Sequence, residues 1–430
     1  MKFKIKEKIY FKTFGCRTNI YDTELLKSYV KDYQITNDES QADIIVINSC
    51  TVTNNADSSV RAYINQARRT NSLGDDLKFV LTGCGAVSKG RDLFSKKEVF
   101  AVLGASNKDK INELLKSQQE FFELGDLNFV DKKIVVSYEN HTKAFVKIQE
   151  GCNFSCSYCI IPSVRGESRS CSMKDIVEQI KLLAQNGYNE VVLTGTNIGS
   201  YGKEFGSSLG KLLQEIGKIA GIKRVRLGSI EPVQIDESFC EVLDEPWLER
   251  HLHIALQHSS ERMLRLMRRR NEAFKDLELF LMLKDKGFAL GTDFVVGHPG
   301  ESEEIWQEAV INFKNFPLTH LHAFAYSKRD GTHAITLCKE LGEVPGNIAK
   351  ARIAELKDIV RDNNLRFREE KKSEELNILV EQKKGDFYYG YDQFYNLAEI
   401  KSARDITKEW LSANNYEACL DLNKIKLENA

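Results

Sequence analysis

Residues 151–166 read GCNFSCSYCIIPSVRG and set Cys152, Cys156 and Cys159 four and then three positions apart. Thiolates are soft ligands, suited to iron–sulfur clusters and to zinc. A structural zinc ion takes four protein ligands, and no fourth Cys or His follows at a suitable distance. Three closely spaced thiolates fit three corners of a cubane cluster instead, with the fourth iron open to a substrate. An apolar strand, AFVKIQEG (144–151), leads directly into the loop. The bland alternative, three buried cysteines or an incomplete zinc site, explains neither the spacing nor this placement.

That strand opens a series. EVVLTG (190–195), KRVRLGS (223–229), HLHIALQ (251–257), GTDFVVGH (291–298) and HLHAFAYS (320–327) follow it, with amphipathic stretches such as MKDIVEQIKLLAQNG (173–187) between them. Six βα units over 140–370 predict a partial or open barrel with its chemistry at the C-terminal strand ends. A long charged helix, 347–375, closes this region. Upstream, over 1–135, the strands KIYFKTF (8–14), ADIIVINS (42–49) and KFVLTG (78–83) alternate with the helical stretches 24–33 and 57–69. This βαβα order predicts an open parallel sheet. Downstream, over 376–430, short strand-like runs broken by Gly and Asp predict a small all-β module. The fold class is therefore α/β with three parts.

The N-terminal part carries a second thiol set. Cys16, Cys50 and Cys84 are each 34 residues from the next, and each ends a strand: TFGC, INSC and LTGC. In a parallel sheet with right-handed crossovers such strand ends share one edge. Three thiolates remote in sequence would then meet as a second metal site, again with one coordination position open. Three unrelated buried cysteines are the alternative. Cys171, Cys240, Cys338 and Cys419 are scattered and read as structural. The pairs His251/His253 and His320/His322 alternate along strands and so could line the barrel, although a satisfied core or surface histidine is the commoner role.

Composition narrows the setting. Ten cysteines stand in a chain with no export signal, no long apolar run and a net charge of −1. A disulfide framework and a membrane span are not expected, and a cytoplasmic location is. A nucleic-acid partner would need a local basic patch.

The CxxxCxxC loop, with Tyr158 before its last Cys and a barrel strand before its first, resembles the radical S-adenosylmethionine (SAM) superfamily. The resemblance implies a cluster whose unique iron chelates SAM and, once reduced, cleaves it to methionine and a 5′-deoxyadenosyl radical. It also implies SAM contacts at strand ends: Thr194 and Gly195, Ser229, Glu231, Gln257, and Val296 with Gly297. At Thr194-Gly195-Thr196 the usual acidic residue is missing, so only a backbone role carries over. Two three-cysteine sets followed by a β module are similar to the methylthiotransferases, whose parts occur in this order and end in a TRAM RNA-binding barrel. The family resemblance implies two iron–sulfur clusters, 4Fe–4S in type, and two SAM molecules, one a methyl donor and one a radical source.

Family branches differ in substrate. The words NSCTVTNNAD (48–57), LRLMRRRN (264–271) and FAYSKRDGTHA (324–334) resemble the branch that methylthiolates C2 of N6-threonylcarbamoyladenosine at tRNA position 37. That implies tRNA, a flavodoxin- or ferredoxin-type electron donor and a sulfur source as partners. Arg268, Arg269, Arg270, Lys328 and Arg329 would face RNA phosphate or the carboxylate of the modified base; a solvated basic helix face is the plain alternative. Cys171 stands where the family often has Arg, and Ser163 where tRNA members have Tyr. The tail is acidic, with 7 Lys/Arg against 9 Asp/Glu over 376–430. Its Phe387, Tyr388, Tyr389, Phe394 and Tyr395 could stack on bases or pack a core. Rival readings are isopentenyladenosine in tRNA, a ribosomal-protein aspartate, or an RNA-binding iron–sulfur sensor without turnover.

Overall fold

The computed structural model describes residues 6–51, 54–131, 133–139 and 141–426, the side chains of 54–57 excepted. Part of the word 48–57 and the last four residues of the tail therefore lie outside the described residues.

The N-terminal part is a six-stranded parallel sheet in the order β2-β1-β3-β4-β5-β6. Its strands are β1 (Lys8–Thr13), β2 (Gln34–Ile35), β3 (Ile44–Ser49), β4 (Lys78–Gly83), β5 (Ala101–Leu103) and β6 (Phe121–Glu123). The helices are α1 (Arg17–Tyr29), α2 (Asn54–Thr70), α3 (Cys84–Ser95) and α4 (Ile111–Lys116). All of β3 is buried, as expected for a parallel strand covered on both faces. Ile45, Ile47, Phe79 and Leu81 pack one face with Ile64 and Leu93, while Ile44, Val46 and Val80 pack the other with Leu26 and Leu115. The period of two thus places helices on both faces and leaves the C-terminal strand edge to the cysteines. Helix α1 starts seven residues before the predicted stretch because Cys16 is its extended N-cap.

The central part contains β7 (Ala144–Glu150), β8 (Arg169–Ser170), β9 (Glu190–Gly195), β10 (Arg224–Leu227), β11 (His251–His253), β12 (Ala289–Val296) and β13 (Leu318–Ala325). Its helices are α5 (Ile161–Arg165), α6 (Met173–Gln185), α7 (Leu209–Gly217), α8 (Glu237–Cys240), α9 (Glu261–Leu266), α10 (Ala273–Asp285), α11 (Glu303–Phe313), α12 (Ala334–Leu341) and α13 (Gly346–Glu370). Strands β7, β9 and β10 pair in parallel, as do β11, β12 and β13. Isolated parallel bridges, Val225 to Leu248 and Ile230 to Ile254, join the two groups. This is a six-stranded partial barrel, and among the described residues β13 does not close onto β7. Strand β11 is shorter than predicted; Gln257, with φ +67°, turns the chain soon after it.

The C-terminal strands are β14 (Leu376–Lys384), β15 (Phe387–Tyr391), β16 (Leu397–Lys401), β17 (Trp410–Ala413), β18 (Tyr416–Ala418) and β19 (Asn423–Ile425), in one sheet of order β17-β14-β15-β16-β19-β18. Tyr388 and Phe394 fill its core, so packing and not base stacking accounts for those two aromatics.

A buried ionic network joins the first two parts. Lys147 on β7 contacts Asp22 of α1 at 2.7 Å and Glu150 at 3.2 Å. Lys108 contacts Asp22 at 3.4 Å and Asp131 at 3.0 Å. Arg165, at the end of α5, contacts both Asp22 (2.9 Å) and Glu150. Three acids thus meet three bases, each side chain at most 8% exposed. Burial by itself would raise Glu150, but Lys147 and Arg165 outweigh it and bring its pKa from the ordinary 4.5 to about 2. Asp22 is held well below the carboxylate range by Lys108, Lys147 and Arg165 against the same burial effect. A carboxylate depressed in the folded state contributes stability above its unfolded pKa and loses it as pH falls through the folded one. The urea midpoint is therefore expected to drop progressively between pH 4.5 and about 2, and to drop less in Glu150→Gln. Equal acid sensitivity of the two proteins would contradict this pairing.

Candidate cluster and cofactor sites

The loop after β7 is held by its backbone. Cys152 N donates to Gly166 O (3.1 Å), Ser157 N to Met267 O (2.9 Å), and Ala334 N to Ser157 O (2.7 Å). Buried Gln149 donates from Nε2 to Gly151 O (2.7 Å) and accepts at Oε1 from Asn197 N (2.7 Å). The Ser157 hydroxyl meets His298 Nε2 at 2.9 Å. Burial pulls His298 down to about 4, leaving it neutral at pH 7.

The sulfurs are ringed by donors. Phe154 N reaches Cys152 Sγ at 3.4 Å, Asn197 Nδ2 reaches the same atom at 3.6 Å, and Arg269 Nη1 reaches Cys156 Sγ at 3.7 Å. Donors aimed at sulfur suit thiolate ligands. Burial pushes the Cys159 thiol up to about 12, and a bound metal centre supplies the positive charge that a buried thiolate needs. Among the described residues, the one group of His, Cys, Asp or Glu ligand atoms lying within 4.8 Å of one another is His253, Asp293 and His322. The three sulfurs of neither cysteine set converge that closely. A single tetrahedral zinc would bring them to about 3.8 Å, from Zn–S bonds of about 2.3 Å.

Cys16, Cys50 and Cys84 each lie just past a strand on the C-terminal edge of the N-terminal sheet. Cys16 caps α1, Cys84 is the first residue of α3, and Cys50 follows β3. A helix N-terminus favours thiolate. A Cβ on Gly15, whose φ is +98°, would come within 2.4 Å of Cys50 Cβ, so only glycine lets the loops of Cys16 and Cys50 close. The Cys84 thiol is pushed to about 11 by burial, opposed by Arg165. Arg165 Nε donates to Cys84 Sγ at 3.0 Å and Nη2 donates to Asn19 Oδ1 at 2.7 Å. Arg165 is six residues past Cys159, so this one side chain ties the central cysteine loop to the N-terminal cysteine set.

The other predicted residues divide. Glu231 lies beside the central loop, where Arg269 grips both its oxygens, at 2.8 Å on Oε1. Arg269 is therefore a buried partner of Glu231 and Cys156, with a side chain 1% exposed, and not an outer phosphate contact. Arg329 is also buried, which corrects its placement on an RNA-facing surface. Arg268, Arg270 and Lys328 are exposed; Arg270 stacks over Phe154 at 4.1 Å and Lys328 pairs with Glu343 at 2.6 Å. Tyr158 is half-buried, edge-on to His298, and sits with Met263, Met267 and Val295. Val296 points instead into the helix-facing core. Since alternate strand residues face opposite ways, Val295 and not Val296 presents its side chain to the loop. Gly297, φ +80°, donates from its N–H to Glu301 at 2.9 Å. Thr194 bonds Thr18 of α1 at 3.3 Å, an interdomain contact, and a Cβ on Gly195 would meet Gln149 O at 2.6 Å. Gln257 sits at the turn after β11 and Ser229 is exposed at the end of β10. Sequence reading missed Gln149, Arg165 and Asn197. Arg165 stood inside the motif itself, but its partners lie 15 to 146 residues away.

Comparison with known proteins adds the following. Residues 8–104 match the uncharacterized protein family UPF0004 and residues 146–310 match the radical SAM superfamily. A Helicobacter pylori protein that bears the provisional name of a methylthiotransferase is 46% identical over 96% of this chain and 97% of its own length. The threonylcarbamoyladenosine tRNA methylthiotransferase MtaB of Aquifex aeolicus is 39% identical over 87% of this chain and 92% of its own. In fold, the chain is similar to the radical SAM methyltransferase TsrM of Kitasatospora setae, with a TM-score of 0.55 over 74% of this chain and 72% of that one, at 15% identity.

Proposed function

The chain belongs to the methylthiotransferase family of radical SAM enzymes, and from that premise we propose that it places a methylthio group on C2 of N6-threonylcarbamoyladenosine in tRNA. Its cofactors are a 4Fe–4S cluster and SAM. When bound and reduced, that cluster supplies a 5′-deoxyadenosyl radical from SAM. Cys152, Cys156 and Cys159 hold it, and Arg269 orients Glu231 beside it. Tyr158 and Val295 pack together as an apolar wall beside the loop. Cys16, Cys50 and Cys84 would hold a second cluster, which would supply the sulfur. Exposed Arg268, Arg270 and Lys328 would meet tRNA phosphate, Arg270 from its stack on Phe154 and Lys328 by exchanging its pairing with Glu343. A low-potential electron donor and a sulfur source complete the system.

One observation carries this reading: the two three-cysteine sets are linked through a single buried arginine, Arg165. This link supports a reading in which radical formation and sulfur delivery serve one substrate. The threonylcarbamoyladenosine branch is supported by the basic words at 264–271 and 324–334 and by the MtaB relative. The test is mass spectrometry of tRNA nucleosides from cells with and without the gene. Loss of 2-methylthio-N6-threonylcarbamoyladenosine, restored by the wild-type gene, is expected. Loss of a methylthiolated isopentenyladenosine instead would move the substrate to the other tRNA branch. No nucleoside change would point to a ribosomal protein.

A further inference from the structure

Half of the histidines in the chain lie on one barrel wall. His251 and His253 on β11, with His320 and His322 on β13, flank β12, whose Gly291 and Asp293 face them. The rings stand in two ladders, His251 with His320 and His253 with His322, each with centroids 4.6 Å apart. Gly291 makes this possible: a Cβ there would meet His253 Nδ1 at 2.7 Å, His251 Nε2 at 3.0 Å and His320 Cβ at 3.2 Å. The proposed mechanism uses none of these residues.

We propose that His253 Nε2, Asp293 Oδ1 and His322 Nδ1 bind a divalent first-row transition ion of the zinc class on this wall. The carboxylate oxygen lies 3.1 Å from His253 Nε2 and 3.4 Å from His322 Nδ1, and all three atoms lie within 4.8 Å of one another. Zinc bonds of about 2.0–2.1 Å to nitrogen and about 2.0–2.2 Å to oxygen at a tetrahedral angle set neighbouring ligand atoms about 3.3 Å apart. The observed separations match that value and exceed the usual length of a charged hydrogen bond, about 2.7–2.9 Å. His253 is 7% exposed, yet its Nε2 makes no well-formed hydrogen bond despite the nearby carboxylate. At 3.1 Å the two atoms stand at the spacing of neighbouring ligands on one ion, which would sit to the side of the line joining them. The His322 side chain is 60% exposed and gives the ion a way in.

Imidazole and carboxylate together suit zinc, iron(II), cobalt and nickel more than magnesium or calcium. Three protein ligands leave a position for an oxygen from water or substrate. The wall is also close to the radical site. His253 is two residues before Ala255, whose carbonyl accepts from Arg269 at 2.7 Å. The three ligands come from adjacent strands, so the rigid sheet sets their geometry before any ion arrives.

The test uses the cluster-loaded protein, equilibrated anaerobically with zinc, desalted and analysed for zinc and iron together. Wild type is expected to keep one zinc per chain beyond its iron complement. His322→Ala, at an exposed position that folding tolerates, and Asp293→Asn should each lose that zinc, with affinity down by more than about 100-fold and iron unchanged. Cobalt added to the same samples should give ligand-field absorption in wild type alone. Wild type without the extra zinc, or variants that retain it, would overturn the proposal. Because iron content is read in the same sample, loss of the cluster sites is distinguished from loss of this one.

Discussion

Cys156→Ala is expected to reduce 5′-deoxyadenosine formation to the level of protein-free controls, while Cys50→Ala leaves SAM cleavage intact and abolishes methylthiolation. The hard chemistry belongs to the cofactor, and the protein's part is to hold and surround it. Cys156 is one of three sulfurs available in the central loop, and its environment is specialised, with Arg269 donating to the sulfur and gripping Glu231. Removing it takes away a corner ligand and leaves that guanidinium without its thiolate. Cys50 belongs to a different sheet and a different edge, after β3, and the hydrogen bonds that pin the central loop are made with Gly166, Met267, Ala334, Gln149 and Asn197. Nothing in that support passes through Cys50. Iron content should fall in each variant, and the product assay separates them: neither variant forms methylthio product, but only Cys50→Ala still forms 5′-deoxyadenosine. Normal SAM cleavage by Cys156→Ala would remove the radical assignment. Methylthio product from Cys50→Ala would remove the division of labour between the two cysteine sets.

Arg165→Met should destabilise the protein more than any single surface change. Its guanidinium contacts Cys84, Asn19, Asp22 and Glu150, with a side chain 3% exposed. Methionine has a similar stem but no charge, so Asp22 and Glu150 stay buried with one cation fewer. Breaking a buried pair from one side costs roughly 3–5 kcal/mol, because the partner's desolvation is no longer offset. A urea titration of wild type and variant at pH 7 measures this. The deficit should shrink toward acid pH, since protonating Glu150 removes the charge that Arg165 compensates. A loss under about 1 kcal/mol, the scale of an exposed ion pair, would show that the network relaxes without Arg165. Arg165→Lys should recover part of the stability but not the contact to Cys84, since an ammonium lacks the planar fork that reaches several partners at once.

Much of this protein was written locally in the sequence. The βα alternation and the apolar runs at 42–49, 78–83, 144–151 and 190–195 announced both parallel sheets, because a strand buried on two faces must be apolar throughout. The expectation for Cys16, Cys50 and Cys84 rests on strand ends of a parallel sheet sharing an edge whatever the intervening helices contain, and that for Cys152, Cys156 and Cys159 on their spacing within one loop. What tertiary structure alone decided concerns side chains whose partners are far away in the chain. Arg269 and Arg329 looked like surface cations beside Arg268, Arg270 and Lys328, but contacts 38 residues upstream buried Arg269, and no local pattern encodes that. Val295 and Val296 are equally apolar, and only the register of β12 shows which one faces the cysteine loop. The four histidines alternated visibly along two strands, but that two of them, His253 and His322, meet one carboxylate became apparent only once β12, from between them in sequence, lay between them in space. Strand periodicity fixes which way a side chain points; what it meets there is set by neighbours that folding brings from elsewhere.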